Sequence, residues 1–131
     1  MTVNIALPTD DRVRAHGFYC GLGFAAPGQP ADDGVPEPLL IELGPSTSLV
    51  LVPRGGFGWV TAGRELAAPG AAGCLISLSL GSPEEVQELA ARAVKAGGGV
   101  AAPPEQRPWG YTAVLADPDG HLLELAINRP G

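Results

Sequence analysis

The chain has 131 residues, 45% of them hydrophobic and 17% charged, which suits one ordinary domain with its own core and excludes a disordered or fibrous composition. A formal charge of −6 argues against a nucleic-acid backbone or an anionic membrane as partner, since both call for a basic stripe. No apolar run reaches the roughly 18 residues that span a bilayer, and MTVNIALPTDD lacks the regions of a signal peptide. Cys20 and Cys74 have no CxxC spacing. The expectation is a cytoplasmic protein with two free thiols.

In chain order, VNIALPT alternates Val3, Ile5 and Leu7 against Asn4 and Ala6 and predicts a strand. Thr9 or Asp10 can cap a helix carrying Ala15, Phe18, Tyr19 and Leu22, ended by Gly23. PLLIELG and TSLVLV then predict a hairpin around GPSTS. Residues 54–72 are a Gly/Ala-rich connection. After it, CLISLSL predicts a strand with Ile76, Leu78 and Leu80 on one face and Leu75, Ser77 and Ser79 on the other. Ser82, Pro83 and Glu85 open a capped helix with Val86, Leu89, Ala90, Ala93 and Val94 as its apolar stripe, closed by Gly97 to Gly99. YTAVLA and HLLELAI flank DPDG, whose proline and glycine suit a type I turn. The order of elements repeats at a shift of roughly 71–73 residues, which signals internal duplication.

A sheet covered by helices on one side leaves a second face, and alternation says which residues lie there. They include Asn4 and Ala6, with Leu75, Ser77 and Ser79 in the repeat. Glu124 shares a face with Leu122 and Ala126, and its repeat counterpart is read as Leu51. A carboxylate in an apolar strand needs a partner or water. Four roles are open for it: metal ligand, catalytic base, hydrogen-bond acceptor (from a backbone amide or Arg107), or a residue that simply meets solvent.

FYCGLGF, SPEEVQELAARAVKAGG and WGYTAVLADPDGHLLEL together resemble the vicinal oxygen chelate superfamily, the glyoxalase I, bleomycin-resistance protein and extradiol dioxygenase group. The branch most similar is that of small bacterial proteins called predicted lactoylglutathione lyases. The resemblance implies an α+β fold of two tandem βαβββ modules, forming a curled mixed sheet with a central cleft, usually in a homodimer. It makes residues 1–131 one such domain, with module one at 1–53, the connection at 54–72 and module two at 73–128. The metal-dependent members draw ligands from the first and fourth strands of each module. Those positions correspond to Asn4, Leu51, Leu75 and Glu124, of which only Glu124 is a good ligand. The expectation is therefore no bound metal and no cofactor, because catalytic sites take three or more protein ligands.

Three functions follow from the residues and the resemblance. The first is metal-free binding of an apolar or cationic small molecule, as in drug sequestration, by Asn4, Leu51, Trp59, Leu75, Ser77, Trp109, Tyr111, Leu122 and Glu124. The second is a lyase, isomerase or dioxygenase acting on a small carbonyl or vicinal-oxygen substrate, with Glu124 as metal ligand or catalytic general base. The third is a duplicated sheet serving assembly or regulation, its cleft vestigial. His16 and His121 are read as surface residues in all three.

Overall fold

The computed structural model describes residues 1–127. The chain forms two compact units, Met1–Ala67 and Ala68–Gly131. In the first, β1 (Val3–Thr9) leads to α1 (Arg12–Gly21), and β2 (Leu39–Gly44) and β3 (Thr47–Pro53) follow. The sheet order is β1-β3-β2, with β1 parallel and β2 antiparallel to β3. A 3-10 turn at Arg54–Gly56 and a single helical turn, α2 (Phe57–Val60), complete this unit's regular structure.

α1 is capped by Asp11, whose carboxylate accepts from the Arg14 amide at 3.0 Å. That displaces the expected cap by one or two residues, because Thr9 is still in β1 and its hydroxyl instead accepts from the Asp11 amide. The expected apolar face holds: Ala15, Phe18 and Tyr19 are fully buried and Leu22 nearly so. The Phe18 and Tyr19 rings meet edge to face at 5.0 Å. Opposite them, Leu39, Ile41, Leu49 and Leu51 are buried, and each such side chain contributes roughly 1.5–3 kcal/mol on leaving water.

The second unit runs β4 (Leu75–Leu80), α3 (Pro83–Lys95), β5 (Gly99–Arg107), β6 (Gly110–Ala116) and β7 (Leu122–Ile127), in sheet order β4-β7-β6-β5. Ser82 caps α3 by accepting from the Glu85 amide. Glu85 reaches back to the Gly81 amide at 2.8 Å, one residue beyond the usual capping-box partner. The DPDG turn closes through the Gly120 amide on the Asp117 carbonyl, with Gly120 at φ 88°. Only glycine takes that φ without strain.

The modules are not both βαβββ. The first has three strands, and its fourth is reduced to one antiparallel bridge, Ala25 to Glu42, on the free side of β2. Pro27, Pro30, Pro36 and Pro38 remove ladder donors from the segment that would form it. In the second unit the corresponding strand exists although it contains Pro103 and Pro104. It lies at the sheet edge, and its register shifts between Ala102 and Glu105, the setting in which a strand tolerates proline. Among the described residues no helix is long and apolar enough to cross a membrane.

Candidate functional site

β7 lies at the centre of the second sheet, between β4 and β6. Leu123 and Leu125 are fully buried beside Ala113 and Leu115 of β6. The alternate residues, Leu122, Glu124 and Ala126, turn to the face that carries no helix. Cross-strand register builds that face in rows: Leu75, Leu122 and Ala116; then Ser77, Glu124 and Val114; then Ser79, Ala126 and Thr112. Glu124 is thus the one charge among three apolar neighbours and a serine.

The serine is its partner. Ser77 Oγ donates to Glu124 Oε1 at 2.8 Å, and no other protein group among the described residues bonds to this carboxylate. A hydroxyl from the adjacent strand orients the group while leaving Oε2 for another donor. The expected alternative partner, Arg107, is engaged elsewhere. Its guanidinium donates to the Thr112 carbonyl, to Thr112 Oγ1 at 3.2 Å, and to the Pro103 and Glu105 carbonyls at 2.8 and 3.3 Å. It ties the irregular strand β5 to β6.

Leu75, Ser77, Leu122 and Glu124 therefore share one face of the second sheet. Two other expected site residues do not join them. Leu51 is 1% exposed and packs in the core of the first unit. With Asn4 aligned on Leu75, the row of that unit matching Ser77, Glu124 and Val114 is Ala6, Val50 and Leu40, which makes Val50 the counterpart of Glu124. The repeat spacing is not constant along the chain, and the one-residue slip moves the side chain to the opposite face. Tyr111 shares the buried parity of Ala113 and Leu115, and its hydroxyl accepts from Gln87 Nε2 of α3 at 2.9 Å. It belongs to the helix side.

Trp109 is 57% exposed at the turn between β5 and β6. Asn4 lies exposed on β1 of the first unit. Trp59, also in that unit, is 92% exposed on α2, while Phe57 anchors the turn in the core. With Gly55, Gly58, Ala62 and Gly63, Trp59 lines a shallow cavity of about 500 Å³.

The structure also gathers Asp117, Asp119 and His121, with ligand atoms within 4.8 Å of one another. Asp117 is 4% exposed, and its Oδ1 accepts the amides of Asp119 and His121, both at 2.9 Å. The carboxylate builds the turn that brings β7 into place. Sequence reasoning identified the turn and not this role, although Asp at the first position of a turn is its signal.

A profile of the Glyoxalase/Bleomycin resistance protein/Dioxygenase superfamily matches residues 3–125. The chain belongs to this superfamily. Among solved structures it is similar to hypothetical protein SA1046 from S. aureus, with 28% identity, a TM-score of 0.80, and coverage of 98% of this chain and 92% of that one. It is likewise similar to a glyoxalase-related enzyme from Fulvimarina pelagi, with 25% identity, a TM-score of 0.79, and coverage of 98% and 88%. A third is TnmS3, an antibiotic binding protein from Streptomyces sp. CB03234, with 27% identity, a TM-score of 0.64, and coverage of 98% and 96%. No curated protein matches the sequence.

A divalent metal in the superfamily's manner needs a set of converging donors, and this chain's residues do not fit one. Leu75 is apolar, the position read as Leu51 falls on Val50, and Glu124 is surrounded by Ser77, Leu122 and Val114. Among the described residues, the one group of three or more His, Cys, Asp or Glu side chains with converging ligand atoms is the Asp117 turn, which does not include Glu124.

Proposed function

We propose that the protein binds a cationic, largely apolar small molecule without metal, on the helix-free face of the second sheet. The carrying observation is the oriented pair of Ser77 and Glu124, 2.8 Å apart, within a face otherwise made of Leu75, Leu122, Val114 and Ala126. An apolar surround weakens solvent screening, so a carboxylate held there attracts a cationic group more strongly than one in open water. Its hydroxyl partner fixes direction before the ligand arrives, which lowers the cost of binding. Trp109 supplies a large rigid surface at the end of the same sheet. The likeness to an antibiotic binding protein supports sequestration. An enzymatic role for Glu124, as metal ligand or general base, has no second donor beside it other than Ser77. Homodimer formation and a cytoplasmic setting complete this reading.

Calorimetric titration with a panel of aromatic amines and their neutral isosteres, in EDTA, tests the proposal. At least one cation is expected to bind, with about a tenfold loss in Glu124→Gln, equivalent to about 1.4 kcal/mol. The neutral isosteres should be insensitive to the substitution. Equal losses for charged and neutral compounds, or binding that requires added metal, would overturn it.

A further inference from the structure

α1 buries Ala15, Phe18 and Tyr19, so its remaining side carries His16 and Cys20, four residues apart and stacked on one face. Cys20 is an exposed free thiol, and its Sγ lies 3.5 Å from His16 Nε2. That distance suits a shared proton. It also suits a shared metal. A tetrahedral zinc, with Zn–S of about 2.3 Å and Zn–N of about 2.05 Å, sets its sulfur and nitrogen about 3.6 Å apart. The two ligand atoms therefore stand at coordination spacing with both side chains already turned toward each other.

We infer that His16 and Cys20 form a two-ligand site for a thiophilic divalent cation of the zinc class, on the outer face of α1. Thiolate and imidazole are the donors such cations prefer over oxygen ligands. Binding deprotonates the thiol, forms one metal–sulfur and one metal–nitrogen bond, and releases the proton to solvent. No electron is transferred. The exposed face leaves the other coordination positions to water. The site uses residues of α1 alone, and its test does not depend on what the Glu124 face binds.

Cobalt(II) is a suitable probe, because a thiolate ligand produces a ligand-to-metal charge-transfer band that oxygen donors do not. Titration of the reduced, full-length protein should give this band at one cobalt per chain, with competition by zinc. Cys20→Ser should abolish it, and His16→Gln should weaken binding at least tenfold. Cys74→Ser should leave it unchanged. These positions carry no core packing, and circular dichroism of each variant checks that the fold persists. Absence of the band, persistence in Cys20→Ser, or indifference to His16→Gln would each overturn the proposal.

Discussion

The strand that follows the helix is reduced in the first unit to a bridge at Ala25, whereas in the second β5 runs nine residues. Each unit uses an arginine to secure what proline has loosened. Arg12 of α1 donates to both Asp33 carboxylate oxygens, at 2.9 and 3.2 Å, and to the carbonyls of Val35 and Pro36 at 3.2 and 2.9 Å. Its remaining nitrogen, Nη1, is buried without a hydrogen bond and lies 3.3 Å from Glu37 as an ion pair only. Arg107 performs the same service for β5. The open faces differ more. The row Ala6, Val50 and Leu40 is apolar where Ser77, Glu124 and Val114 carry the carboxylate and its hydroxyl, and the first unit places its own carboxylate, Glu42, one row away on the edge strand β2 beside Ser48. Duplication preserved the scaffold, and the two faces took on different chemistry.

The largest effect should come from the buried side of the first sheet. Leu51→Ala is expected to destabilise the protein by about 2–5 kcal/mol in chemical denaturation, as for other fully buried leucines. Val50→Ala, on the opposite face, should cost under about 1 kcal/mol. Similar losses at both positions would break the assignment of faces on which the comparison rests.

The arginine clamp is the next test. Arg12→Ala should cost about 1–2 kcal/mol through lost hydrogen bonds to Asp33 and the two carbonyls. The Arg12 hydrogen bond, with help from the Val35 amide, holds the Asp33 carboxyl below the usual carboxylate range. Because the folded value lies below the unfolded one, the contribution is complete at neutral pH and is lost as pH falls through the lowered folded value. Wild type should therefore lose more stability on acidification than Asp33→Asn does. Parallel pH profiles for the two proteins would remove the clamp from the account.

The helix caps should give a smaller difference. Ser82→Ala is expected to cost about 1 kcal/mol, with Asp11→Ala of similar size, by thermal or chemical melting. The exposed pair of Glu88 and Arg92, 2.9 Å apart within α3, should contribute only about 0.3–0.5 kcal/mol in a double-mutant cycle.

Much of this was legible in the sequence because it is local. The stripe of α3, the Ser82 cap, the DPDG turn and the alternation of β7 each depend on neighbouring residues. What escaped depends on register and environment. β5 was implied by the resemblance but not located in the residues, because its prolines contradict strand propensity and only an edge position with a bulge reconciles them. Leu51 was misplaced because duplicate alignment fixes a residue to within one position, and in a strand one position is the other face; Tyr111 was chosen as an aromatic without regard to its strand parity, which it shares with the buried Ala113 and Leu115. The pairing of Glu124 with Ser77 joins residues 47 apart in sequence, and no local pattern reports it.

Replacing the pair with the chemistry of the first unit sharpens the comparison further. Ser77→Ala with Glu124→Val should leave the fold intact and abolish any preference for cations over neutral isosteres.

Methyl NMR of the isotope-labelled protein, titrated in EDTA with an aromatic amine that binds, tests the central claim most directly. The methyl signals of Leu75, Val114 and Leu122 should move together, with smaller responses from Leu123 and Leu125 beneath them. Shifts confined to the buried leucines, or appearing only when a divalent metal is restored, would contradict the account.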